Sequence, residues 1–157
     1  MDEPATHPHL PSTQAAVTAL REIAHTYGRH TTVTDDIGTD QVSRRTAAPA
    51  TTATDPDGTL PHEAHVEITG PPAVTVRLFP EGDALITVEG VEFPDIPRDS
   101  TPAFLRSVLD GHARVTGRFL PPGQWLVVPL PDGETHREPL PLPTLTPWLA
   151  RAARPRP

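Results

Sequence analysis

HEAHVEITGPPAVTVRLFPEGDALITVEGV, residues 62–91, is the stretch that decides the fold class of this chain. Val66 and Ile68 share one parity, as do Val74, Val76 and Leu78, and then Ala84, Ile86 and Val88. Side chains two residues apart in a strand point the same way, so each run buries one face and wets the other. Pro80-Glu81-Gly82-Asp83 separates the last two runs with turn chemistry. The segment predicts a three-strand antiparallel meander.

Downstream, Glu89 to Asp99 carries prolines at 94 and 97, which cannot donate to a ladder, and predicts a rigid, acidic crossing loop. Ser100 or Thr101 then caps a helix with Pro102 in its first turn. Phe104, Leu105, Val108 and Leu109 form its apolar stripe and Gly111 ends it. HARVTGRFL and QWLVVPLP follow, and between them Pro121-Pro122-Gly123-Gln124 has the sequence of a type II turn. In the first of these strands Ala113, Val115, Gly117 and Phe119 face inward, while Arg114, Thr116 and Arg118 face out. REPLPLP is too proline-rich for a central strand, and Thr146-Pro147 opens a last short helix anchored by Trp148 and Leu149.

Upstream, Ser12 caps a helix that ends at Gly28, with Ala16, Leu20, Ile23, Ala24 and Tyr27 at helical spacing. The stripe packs on the downstream sheet; the sharper alternative is a partner helix or a homodimer contact. The divisions are therefore a flexible N-terminus (1–11), the amphipathic helix (12–28), a Thr/Ala/Pro/Asp-rich linker or mobile loop (29–61) with at most a short strand near Thr32–Thr34, a compact domain (62–152) and a basic tail (153–157). The expected fold is α+β: an antiparallel sheet of about five strands with helices packed on one face, in the order α-β-β-β-α-β-β-α. That layout is similar to the element order of small chaperone-like α+β domains that hold a partner chain.

Leu, Ile, Val and Phe number 10 in residues 1–72 and 25 in residues 73–157, so the core lies mainly in the second half. The chain of 157 residues has a formal charge of -7 and no cysteine, which excludes disulfides, thiolate metal sites and cysteine nucleophiles. Its thirteen basic residues are all arginine, and lysine and asparagine are absent, the usage expected of a high-GC, actinobacterial gene. Without lysine there is no Schiff-base catalyst and no Walker-type phosphate lysine. The acidic balance disfavours nucleic acid as a partner. No stretch has the length or apolarity of a membrane span, and the acidic, proline-broken start is unlike a signal peptide; a cytoplasmic protein is the expectation.

Catalytic signatures are sparse. His62 and His65 are three apart and read as strand, so they point to opposite faces; the zinc-protease helix motif needs a spacing of four. His7 and His9 stand between prolines and are expected to be solvated. Glu89, Glu92, Asp95 and Asp99 lack the spacing of a calcium loop, and no aromatic platform marks them as a sugar-cleaving pair. Ser12, Ser43, Ser100 and Ser107 have no glycine-flanked elbow. No cofactor, metal or catalytic residue is assigned, and the balance points away from an enzyme.

The positive feature is arginine in phase with the exposed sheet face: Arg114 and Arg118, joined by Arg77 from the meander. The reading is a non-enzymatic protein-binding module, an adaptor, immunity-like inhibitor or chaperone-like holder, in which arginine forks meet carboxylates of a partner protein. One alternative is a small metal-dependent hydrolase using His62, His65 and the acidic loop. Another is a nucleic-acid-associated regulator using Arg151, Arg154 and Arg156, weakened because no aromatic alternates with the strand arginines to stack bases.

Overall fold

The computed structural model describes residues 7–35, 58, 61–118, 120, 122–141 and 145–155. Helix α1 spans Thr13–Thr26. The Ser12 hydroxyl accepts the Ala15 amide at 3.0 Å, satisfying one of the free donors of the first turn. At the other end Gly28 adopts φ +68°, and the amides of Gly28 and Arg29 bond back to the carbonyls of His25 and Ala24. That pair of bonds is a Schellman stop, which a left-handed glycine permits. Ala16, Val17, Leu20, Ile23 and Ala24 are buried on one side of the helix.

Five strands form the larger sheet in simple sequential order: β1 (Thr31–Asp35), β2 (Ala64–Ile68), β3 (Val74–Leu78), β4 (Asp83–Val88) and β5 (Val91–Pro97), each antiparallel to the next. The meander is where the period-two pattern puts it, with Val66, Ile68, Val74, Val76, Leu78, Ala84, Ile86 and Val88 buried. Strand β1 extends it at one edge, pairing Val33 with Val66. The remainder of the 29–61 segment, save Gly58 and Pro61 and the residues up to Asp35, lies outside the described residues.

The acidic stretch after Val88 corrects the expected crossing loop: it is edge strand β5. Glu89 (φ 48°) and Gly90 (φ 84°) close a two-residue hairpin that pairs Val88 with Val91, the positive-φ geometry that matches strand twist. The register moves from Ile86–Phe93 to Ala84–Ile96, so β5 holds one extra residue beside Pro94 and Asp95, the latter at φ 55°. This bulge absorbs Pro94 and turns both Phe93 and Ile96 inward, each 1% exposed. Proline is tolerated because the strand is an edge. With two ladder donors missing from β5, the sheet ends there.

A single 3-10 turn (Arg98–Ser100) leads into helix α2 (Thr101–Leu109). Ser100 makes no side-chain capping bond; instead the Thr101 hydroxyl donates to the Arg98 carbonyl at 2.8 Å. Helix α2 packs beside α1, and the Tyr27 hydroxyl joins their ends by donating to Asp110 at 2.5 Å. The chain then builds a second, three-stranded antiparallel sheet: β6 (Arg114–Arg118), β7 (Gly123–Pro129) and β8 (Thr135–Pro139), with β7 in the middle. The proline-rich REP stretch thus forms an edge, as its composition demands. Helix α3 (Pro147–Ala152), capped by the Thr146 hydroxyl, packs on β6.

The fold is α+β. The two sheets are joined through α2, whose Phe104 is fully buried between Phe93 of β5, edge-on at 5.1 Å, and His136 of β8 at 5.8 Å. One apolar cluster runs from Leu10 through α1 and both sheets to Leu149. No described helix is long and apolar enough to cross a membrane.

Candidate partner-binding face

The three-stranded sheet has a buried side and an open side. Leu126 and Val128 of β7 are fully buried against the core. The opposite phase carries Arg114, Thr116 and Arg118 on β6, Trp125 and Val127 on β7, and Arg137 on β8, with Thr116 opposite Trp125 and Val127 opposite Arg137. Trp125 is the centre of this face. The Arg137 guanidinium lies 4.4 Å and that of Arg118 6.0 Å from its ring centroid. A guanidinium over an aromatic ring is attracted by the ring quadrupole while its edge donors stay open to an acceptor.

Gly123 makes room for that ring. A Cβ at this position would meet the Trp125 indole at 2.9 Å. The glycine is therefore not the centre of a type II turn: it is a strand residue paired with Arg118, and the connection lies between them. The inward placement expected for Phe119 falls outside the described residues; its neighbour Leu120, beside the face, is 88% exposed.

Arg114 borders a second feature. With His112, Trp148, Arg151 and Arg154 it lines an open cavity of about 620 Å³ between β6 and the end of α3. Among the described residues, none of Arg114, Arg118, Arg137, Arg151 and Arg154 has a carboxylate within ion-pair distance. The local charge is unlike that of the whole chain: residues 111–157 contain six arginines and three acids, while residues 1–110 contain seven arginines and seventeen acids.

Arg77 does not belong to this group. It lies on β3, in the other sheet, where it pairs with Glu63 at 2.5 Å and rests over Phe79. Arg114 and Arg118 share a face with each other but not a sheet with Arg77. Sequence reasoning missed Trp125 and Arg137 because they arrive from neighbouring strands, and their only linear signal is parity within β7 and β8.

The other candidates are dispersed. His62 is 2% exposed, whereas His65 is on the outer face beside Glu67 at 3.3 Å. Glu89 sits in a hairpin turn, Glu92 and Asp95 on β5, and Asp99 in the 3-10 turn. Asp99 holds the N-terminal segment: its carboxylate accepts the Leu10 amide at 2.7 Å and contacts His9 at 3.1 Å. Burial raises the Asp99 pKa, but the Leu10 amide, His9 and Arg98 together outweigh it and keep the group below its ordinary value. Residues 7–11, read from sequence as a flexible end, are thus tied to the fold, and Leu10 is 7% exposed. His7 contacts Asp132 at 2.7 Å. Ser107 is buried and donates to the Pro129 carbonyl at 2.6 Å.

Comparisons with protein-family models, with curated proteins and with solved structures found no match.

Proposed function

We propose that this chain is a protein-binding module whose working surface is the open side of the three-stranded sheet, and that it takes an acidic segment of a partner protein. The observation that carries this reading is Trp125 flanked by Arg118 and Arg137, with no carboxylate among the described residues paired to either guanidinium. Unpaired arginine forks suit carboxylates, which they bind through two parallel hydrogen bonds. The indole supplies apolar area at the centre of the patch, where binding energy concentrates. Leu120 adds an apolar anchor at its border. A partner protein, the cytoplasmic setting and the adaptor-like role belong to this proposal.

A second reading, single-stranded nucleic acid, is favoured by the same Trp125, since aromatic rings between arginines stack bases. The charge distribution argues for the short acidic peptide: seventeen acids against seven arginines in residues 1–110 repel a long polyanion that overruns the patch.

The test titrates the purified chain with a fluorescent ten-residue Asp/Glu-rich peptide and, separately, with an oligothymidylate of equal length. Arg114→Glu with Arg118→Glu changes two exposed strand residues and is expected to keep the native circular dichroism while weakening peptide binding by roughly tenfold or more. Peptide binding that is absent in the wild type, or unchanged in the variant, removes this surface. Salt-dependent capture of the oligonucleotide alone transfers the face to the second reading.

A further inference from the structure

The open cavity between β6 and the end of α3 has a lining of two characters. One is cationic: Arg114 comes from β6, Arg151 from the last turn of α3 and Arg154 from the turn after it. Arg151 and Arg154 are three apart, and the Arg154 amide bonds the Arg151 carbonyl at 3.1 Å, so the turn continues and both residues stand on one side of it. Leu149, 2% exposed, anchors this helix to the core, and the Thr146 hydroxyl caps its start. The other character is apolar: Val115 and Trp148, both half-buried, lie against the core and border the same space.

No Asp or Glu lines the cavity, although the chain holds twenty. Among the described residues no carboxylate is within ion-pair distance of the three guanidiniums. A cation in a last helical turn answers its free carbonyls, which accounts for Arg151. Arg114 stands on a strand and serves no helix end. Arginine keeps its charge at any ordinary pH, so three of them around one space repel, and an anion of several charges seated among them removes that repulsion. Guanidinium forks fit phosphate oxygens in pairs, and the His112 ring beside them adds an N–H. A volume of about 620 Å³ is more than phosphate alone fills and lies in the range of sites for whole small molecules. The Trp148 indole gives the apolar wall an aromatic surface, on which any nucleobase can stack.

We propose that this cavity binds a nucleoside di- or triphosphate, its phosphates on Arg114, Arg151 and Arg154 and its base against Trp148. The inference goes beyond the role given to the sheet face and does not rest on it. Arg114 borders both, but Arg151, Arg154 and Trp148 belong to the cavity, and Trp125, Arg118 and Arg137 to the face.

The full chain, in magnesium-free buffer, is titrated separately with ATP, GTP, tripolyphosphate and adenosine. NMR follows its two indole N–H signals, assigned with Trp125→Phe. One-to-one binding of ATP or GTP is expected, with Trp148 shifting and Trp125 still. Tripolyphosphate, which lacks the ring, should bind roughly tenfold more weakly, and adenosine, which lacks the charge, more weakly again. Arg151→Gln with Arg154→Gln should weaken the nucleotide by roughly tenfold or more while leaving capture of the acidic peptide in place, so the two sites fail separately. Arg114→Gln repeats the test without touching α3. Absence of ATP and GTP binding overturns the site. So does a shift of Trp125 in place of Trp148, an affinity unchanged in these variants, or tripolyphosphate that binds as tightly as the nucleotides. The wild-type spectra and the tripolyphosphate comparison decide this even where a variant fails to fold.

Discussion

Replacing Phe104 by alanine tests whether the arginine face and the larger sheet are one cooperative structure. The ring is fully buried and makes the aromatic bridge from β5 to β8 through Phe93 and His136. Truncating a buried phenylalanine costs about 3–5 kcal/mol, through lost transfer energy and the cavity left behind. The edge-on pair with Phe93, at 5.1 Å and 68° between planes, argues for the upper part of that range, because such pairs contribute ~1 kcal/mol beyond area. With a urea slope of about 2 kcal/mol per molar, a loss near 4 kcal/mol lowers the midpoint by about 2 M. Tryptophan fluorescence reads the smaller sheet and α3, where both Trp125 and Trp148 lie, and far-ultraviolet circular dichroism reads the whole chain. The two curves should coincide in wild type and variant and move together. A loss below 1 kcal/mol, or a fluorescence transition that separates from the circular dichroism in the wild type, refutes the reasoning.

Two further perturbations probe local terms. Gly28→Ala places a Cβ that meets nothing within 4 Å, so its cost is left-handed strain alone, about 1–2 kcal/mol, seen as a lower denaturation midpoint. Gly28→Asn should lose less, and equal losses would mean that something other than backbone conformation acts there. Asp99 has a depressed folded pKa, so its contribution is complete above the unfolded value of about 3.9 and disappears as the pH falls through the lower folded one. Asp99→Asn should therefore lower stability at pH 7 and flatten the acid limb below about pH 4. An acid limb identical to that of the wild type would show that the Leu10 and His9 contacts carry no such linkage.

Much of the local structure was legible because it follows from nearest-neighbour chemistry. Parity in residues 62–88 placed the meander, and the Ser12 cap with the Gly28 stop bounded α1. The prolines at 94 and 97 misled because their meaning depends on position in a sheet: fatal in a central strand, admissible at an edge with a bulge. Gly123 misled likewise, since the indole that requires it is two residues along the same strand face.

The sequence alone determined which segments alternate, which wind, and that six of the thirteen arginines fall after residue 110. Those properties are set by side chains a few residues apart, through the strand and helix periods. Only the tertiary structure decided that the strands divide into two sheets, that Arg77 is parted from Arg114 and Arg118, and that Trp125 rests between Arg118 and Arg137. It also brought His7 to Asp132 across 125 positions. Cross-strand register and long-range packing fix these pairings, and neither leaves a mark in any local window of the chain.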